Sequence, residues 1–324
     1  MIRRLDSRSR FLAPVLACAA LAGLAAAGTP AASQGPKVRA SHVVPFKVIR
    51  SGGNPRPIVV ARFNGHPLRM MVHSNASFYA QLEHAKAAAF GVVLTAGHRA
   101  FGIDRPGHVS DLGLDPGIVA TLQVGNATVR DARVSVFEVP QDDYGMLGIG
   151  WIRDNRVVLD FARNQALVAP SPAEVSAKAA ALRKAGYVAL PMQFDEKEQR
   201  YTVRATLHGI TRTMAVTSAS ELTVDLPWAE AAKLPLGKDT GEGSGPTGTH
   251  VSEYRLDAPI RLQIGDWTSP DIAGGSISDI YGYAARPRPA DPDAGISGYL
   301  GGVFLKRTGA VIDFGSRILY VRSR

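Results

Sequence analysis

Two short stretches hold the side chains best suited to joint chemistry: Val72-His73-Ser74-Asn75-Ala76-Ser77 and Val216-Thr217-Ser218-Ala219-Ser220. A histidine titrates near neutrality, which makes His73 a candidate general base toward water, with Thr217 positioning that water. Nothing in either stretch supplies a proton to a leaving amine or stabilises an oxyanion. The plainer reading of His73 and Thr217 is therefore as satisfied polar residues at an interface. A nucleophile pair at His73-Ser74 is disfavoured, because neighbours in extended chain point to opposite faces. No Gly-x-Ser-x-Gly elbow occurs.

The remaining candidates are weaker. The eight histidines include no His-x-x-x-His pair, and His98, His108 and His250 would meet only if two loops folded over one place. No metal and no cofactor is expected. Residues 241–248 are rich in glycine but lack the Lys-Ser/Thr ending of a phosphate loop. Cys18 is the single cysteine. If the segment that carries it is removed, the chain has no disulfide, thiolate nucleophile or cysteine metal site.

The elements that must position the two stretches are strands. Residues 57–63, Asn64-Gly65 and residues 68–72 read as a hairpin, because Asn-Gly favours a turn with positive φ at both positions. His73-Ser74-Asn75-Ala76-Ser77 is the loop that follows, residues 79–89 have helical spacing, and Gly91 is a stop. Residues 94–113 hold many turn residues and read as a long hairpin. Strands are expected over 118–124 and 132–139, then a strand and helical turn over 144–152, then a closing hairpin over 156–161 and 165–169. Ser171-Pro172-Ala173-Glu174 is a capping box that starts a helix ending near Gly186.

The pattern then repeats. Setting Gly65 against Gly209 places His73 on Thr217, Ser74 on Ser218 and Asn75 on Ala219. Tyr299-Leu300-Gly301 matches Met146-Leu147-Gly148, and Val311-Ile312-Asp313-Phe314 matches Val158-Leu159-Asp160-Phe161. Each aspartate lies twelve residues after its matched glycine. Residues 241–248 match the long hairpin of the first copy, and residues 284–295 are a proline-rich insertion. Several landmarks in one order mark an internal duplication.

On these residues the chain resembles the retropepsin-like aspartic proteases in a tandem, single-chain form, over roughly residues 57–169 and 198–322. The resemblance implies two carboxylates face to face, one per lobe, each in an Asp-Thr/Ser-Gly loop and sharing one proton. Here the loops read His73-Ser74-Asn75 and Thr217-Ser218-Ala219, so both aspartates and both glycines are absent while Ser74 and Ser218 persist. By analogy the two serines cross-link the loops. Asp160 and Asp313 have no Ser/Thr-Gly after them, and the resemblance gives them a structural role.

The expected fold is mainly β: two retropepsin-like β-barrel lobes with short helices and flaps. The expected order is a signal peptide at 1–33, a tether at 34–56, a first lobe at 57–169, a linker helix and connection at 170–197 and a second lobe at 198–324. A basic stretch with Arg3, Arg4, Arg8 and Arg10 precedes an apolar run over 11–27, which reads as a bacterial export signal. The expected location is periplasmic or secreted, with a retained anchor or lipidation at Cys18 as the alternative. The net charge of +9 falls to +6 when residues 1–33 leave with four arginines and Asp6, and no basic run remains. That argues against nucleic-acid binding.

The leading functional expectation is an inactive protease-like protein that binds extended peptide between the lobes as a monomer. The binding residues implied by the resemblance are His73, Ser74, Asn75, Thr217, Ser218, Ala219, Gly243 and Gly245. One alternative is a weak or atypical peptidase using His73, and another is a structural or assembly protein of the cell envelope.

Overall fold

Both hairpins turn on the same chemistry. Asn64 and Gly65 sit at φ 48° and 87°, and His208 and Gly209 at φ 47° and 83°. This primed turn matches the twist of the strands it joins. A computed structural model describes residues 42–51, 54–98, 103–105, 108–109, 113–137, 144–240, 243–244, 250–283 and 287–322. The export signal and Cys18 lie outside the described residues.

The first hairpin is Asn54–Phe63 with His66–Val72, and the second is Arg200–Leu207 with Ile210–Val216. From each hairpin the sheet continues in one order. His66–Val72 pairs in parallel with Tyr144–Leu147, which pairs antiparallel with Ala80–Glu83, which pairs in parallel with Ala127–Phe137. In the second copy Ile210–Val216, Ile296–Leu300, Thr223–Asp225 and Ser276–Ser278 follow the same directions. The duplication seen in the residues is thus a duplication of topology. The protein is mainly β, with barrel-like sheets in both halves.

The closure of the two sheets differs. In the first lobe Leu114–Val124 pairs both with Ala127–Phe137 and with Asn54–Phe63, so the sheet closes on itself. In the second, Gln263–Ile264 meets Arg200–Leu207 only at Thr206↔Gln263, and no ring closes among the described residues. Both interiors are packed with apolar side chains, and equivalent helices each bury one large ring, Trp151 and Phe304. Full burial of each ring adds to the apolar driving force of its lobe.

A third sheet joins the halves. Its order is His42–Pro45, Gln165–Val168, Val158–Asp160, Val311–Asp313, Ile318–Arg322 and Tyr187–Pro191. The closing strands pair antiparallel at the centre, with Leu159 opposite Ile312, so an approximate two-fold axis passes between them. The helix Pro172–Lys184 leads from one half to the other. Its Ser171 cap accepts the Glu174 N–H at 3.3 Å, and Glu174 accepts the Ser171 N–H at 2.9 Å.

Several boundaries need correction. Within the expected tether at 34–56, the edge strand that the β-formers of residues 42–49 suggest is two strands, His42–Pro45 and Lys47–Ser51, whose ladders attach them to the joining sheet and to the first hairpin. The expected connection at 170–197 likewise holds Tyr187–Pro191 and Gln193–Asp195. Each repeat therefore starts some ten to fifteen residues earlier than its hairpin. The expected helix over 79–89 begins only at His84; Ala80–Glu83 is a strand buried in the sheet.

Candidate functional site

The two stretches begin where buried strands end. Val72 and Val216 are held in the lobe cores. The next N–H of each chain bonds across to the adjoining strand: His73 to the Leu147 carbonyl at 2.8 Å, and Thr217 to the Leu300 carbonyl at 3.1 Å. The loops are braced from behind, because Ala76 and Ser220 carbonyls accept the Ile149 and Gly302 N–H groups at 2.8 and 2.7 Å. This contact explains Gly148 and Gly301. A Cβ at Gly148 would lie 2.2 Å from the Phe78 carbonyl oxygen, and one at Gly301 2.1 Å from the Ser220 and Glu221 carbonyl oxygens. Backbone cannot yield at that distance, so glycine is required.

Ser74 and Ser218 tie the loops to each other. The Ser74 N–H donates to Ser218 Oγ at 3.0 Å, and the Ser218 N–H donates to Ser74 Oγ at 3.0 Å. Each hydroxyl then donates to the strand end of the opposite lobe, Ser74 Oγ to the Val216 carbonyl at 3.2 Å and Ser218 Oγ to the Val72 carbonyl at 2.6 Å. Both serines are fully buried. The four bonds satisfy every polar group they involve, as a buried polar network must. The expected cross-link is present, and its role is to hold the loops rather than to face a ligand.

This lock places His73 and Thr217 together at the two-fold axis. The Asn75 N–H approaches His73 Nδ1 at 3.3 Å, which assigns Nδ1 as acceptor and leaves the proton on Nε2. The equivalent Ala219 N–H points to Thr217 Oγ1 at 3.5 Å, and that hydroxyl donates to Ser220 Oγ at 3.2 Å. Thr217 is completely buried, while His73 keeps part of its surface open. Neither position carries a carboxylate.

Two arginines stand beside these positions. The hairpin register pairs Ile58 with Met71 and Thr202 with Ala215. Continued by two residues, it sets Arg56 opposite His73 and Arg200 opposite Thr217. Arg56 Nη1 donates to the Tyr144 hydroxyl at 2.8 Å, and Arg200 Nη1 to the Tyr299 hydroxyl at 3.3 Å. Desolvation, then the positive charges of Arg56 and Arg200, lower the His73 pKa to about 3. The imidazole is therefore neutral across the physiological range. Sequence reasoning passed over these arginines, although both lie at the same offset of 144 residues as the two loops.

The next equivalent pair diverges. Gln81 and Asp225 occupy matching strands and are both buried, at 2% exposure each. Among the described residues neither polar side-chain atom of Gln81 finds a hydrogen-bond partner. Asp225 is fully engaged: Arg288 of the proline-rich insertion bonds both its oxygens, and the Ile280 N–H adds a third bond at 3.1 Å. Burial pushes the Asp225 carboxyl up against the pull of Arg288. Arg288 also bonds Asp279 at 2.7 Å and lies over the Tyr281 ring at 4.7 Å. The insertion is thereby strapped to the second lobe.

Asp160 and Asp313 lie away from the loops, on the joining sheet. Each caps a turn three residues on, accepting the Arg163 and Ser316 N–H groups at 2.9 Å. Burial alone would raise the Asp160 carboxyl, but hydrogen bonds from Lys178 and Arg163 hold it below the usual range. Gly243 lies on a short strand whose backbone pairs it with Val251; Gly245 lies outside the described residues. His98 bonds Asp115 at 2.8 Å. Among the described residues no group of three His, Cys, Asp or Glu side chains could hold a metal ion.

No protein-family model matches the chain, and no curated protein matches it. Among solved structures, the fold is similar to that of an aspartic proteinase from Irpex lacteus. Identity is 10% and the TM-score 0.54, over 88% of this chain and 97% of that one. Basic 7S globulin from soybean is 12% identical with a TM-score of 0.46, over 88% of this chain and 95% of the globulin. The first likeness shows an aspartic proteinase-like fold and nothing of chemistry. It supports a pepsin-like rather than a retropepsin-type form, which corrects the narrower expectation. The two halves here share one chain, one connecting helix and one joining sheet.

Proposed function

We propose that this chain uses an aspartic proteinase-like fold to hold an extended peptide between its lobes without cleaving it. The observation that carries this reading is the pair of positions at the two-fold axis: His73 and Thr217 stand where the fold's chemistry calls for two carboxylates. The scaffold around them is intact, from the serine lock to the glycine braces. The reacting groups are replaced. Thr217 is buried and its hydroxyl is engaged with Ser220. A histidine with a pKa near 3 is a feeble base at neutral pH. Among the described residues no group at the axis is placed to protonate a leaving amine.

Peptide would bind by strand addition beneath the two short hairpins, Ile103–Arg105 with His108–Val109 and Gly243–Ser244 with His250–Val251. The chain acts after export, in the periplasm or outside the cell, as a monomer; the basic and apolar start of the sequence supports this location. Digestion of a peptide library between about pH 3 and pH 8 tests the reading, the range spanning carboxylate and histidine titration. The expected result is a folded protein and no products by mass spectrometry. Clean cleavage lost in His73→Ala would show a peptidase working through His73 instead.

A further inference from the structure

The two lobes differ most on their outer faces. Among the described residues six large apolar side chains are left exposed, and five lie in the first half of the chain: Val43, Val60, Val93, Leu94 and Ile118, against Leu236 in the second. Single exposed apolar residues are ordinary. The neighbours of these are not. Val60 stands opposite Arg69 in the first hairpin. Ile118 stands between Val93 on one side and Arg133 on the other. Arg62 and Arg130 lie on the same strands, opposite Gln123 and Thr121. All four arginines are exposed. None forms an ion pair among the described residues; Arg62 donates to the Gly65 carbonyl at 3.1 Å, and Arg133 lies 5.9 Å from the Tyr79 ring. The acid that shares the stretch is Asp131, while the bordering Glu83 and Asp115 are taken by Lys86 and His98.

The second lobe shows the same arrangement neutralised. At the repeat offset of 144 residues, Val60 and Arg69 correspond to Arg204 and Thr213, which are again paired in register. There Asp293 of the proline-rich insertion bonds Arg212 at 3.1 Å and Arg204 at 3.5 Å. Arg255, Arg261 and Arg288 also pair with aspartates. The second lobe thus supplies its own anions. The first leaves its arginines, and the aliphatic side chains between them, for something outside the chain.

We propose that this outer face of the first lobe docks on an anionic lipid surface. Guanidinium groups pair well with lipid phosphates, and aliphatic side chains set among cations enter the boundary between headgroups and acyl chains. Val124 neighbours Ala61 and Ile118 neighbours Val93, so the face runs for about 20 Å along one strand, too long for a single small anion. A closed sheet is convex on its outside. Such a face has no cleft in which to enclose a protein segment, whereas a lipid surface yields to its shape.

The test follows sedimentation of the purified full chain with vesicles of phosphatidylcholine alone, and with vesicles of equal parts phosphatidylcholine and phosphatidylglycerol. The expected result is binding at least about tenfold tighter to the anionic vesicles, weakening as salt rises. One basic side chain near such a surface is worth about fivefold, so Arg130→Gln with Arg133→Gln should cut the preference at least about fivefold. Ile118→Thr with Val93→Thr keeps β-branching in the strands and should weaken anionic binding about threefold. Arg261→Gln, which removes a paired arginine of the second lobe, should change neither. The basic and apolar start of the chain is common to all variants, so differences among them report the face alone.

Circular dichroism melts confirm that each surface variant is folded. Equal binding to both kinds of vesicle overturns the proposal. So does a preference that survives Arg130→Gln with Arg133→Gln and also Arg62→Gln with Arg69→Gln. If soluble polyglutamate binds as tightly as the anionic vesicles and the two threonine substitutions change nothing, the face takes an acidic polymer and the lipid assignment falls.

Discussion

The two lobes share a strand order down to the direction of each pairing, yet they treat equivalent residues differently. The first closes its sheet through Leu114–Val124 and leaves the side-chain amide of Gln81 buried without a hydrogen-bond partner among the described residues. The second leaves its sheet unclosed among the described residues and surrounds the matching Asp225 with Arg288 and the Ile280 N–H. Where the lobes touch, at Ser74 and Ser218, the difference vanishes and the bonds are reciprocal. Duplication preserved what both halves need in order to meet. It did not preserve what each half does alone.

The largest effect should come from the shared part. Ser218→Ala removes a bond to the Val72 carbonyl and leaves the Ser74 N–H buried without an acceptor. The expected loss is about 2–3 kcal/mol in urea unfolding. Ser74→Ala should lose nearly as much, and the double variant should depart from additivity, as residues of one network do. Unequal single losses, differing by more than about 1 kcal/mol, would break the equivalence of the two loops.

The unshared parts should respond in opposite directions. Arg288→Ala leaves a buried carboxylate with only the Ile280 N–H. Breaking a fully buried ion pair costs about 3–5 kcal/mol, but Arg288 is 36% exposed, so the expected loss is about 2 kcal/mol. Gln81→Leu should instead stabilise the protein by about 1 kcal/mol, because it removes two unsatisfied polar atoms from an apolar setting. Circular dichroism melts of the two variants side by side would settle the matter. A loss of stability in Gln81→Leu would mean that the amide has a partner when the protein is in solution.

Much of this design is legible in the residues. Asn64-Gly65 and His208-Gly209 announce the hairpins, the capping box announces Pro172–Lys184, and Asp160 and Asp313 mark strands that meet at the joining sheet. What escapes has a physical cause. Ala80–Glu83 and Thr223–Asp225 are short central strands covered on both faces, so they show no alternation and pass for helix or loop. The β-formers of residues 42–49 suggest an edge strand, but the partners of His42–Pro45 and Tyr187–Pro191 lie more than a hundred residues away, which no local pattern reveals. Arg56 and Arg200 needed only the repeat offset to be noticed.

The smallest expected effect tests the arginines beside the axis. In the folded protein His73 stays neutral down to about pH 3, through desolvation and then the charges of Arg56 and Arg200. In the unfolded chain it takes up a proton near its ordinary value of about 6.5. Between these limits the unfolded state binds more protons, so acid favours unfolding. Stability should fall as pH drops below about 6.5, and this contribution should stop growing near the folded pKa. The ring keeps some contact with solvent, so about 1 kcal/mol between pH 7 and pH 5 is expected rather than the full value for a sealed group. Urea unfolding of the wild type and His73→Asn across this range should show that difference. Arg200→Gln should lessen it, because one of the charges opposing protonation is gone. Equal slopes in all three proteins would place His73 in a more solvated and less cationic setting than the axis provides.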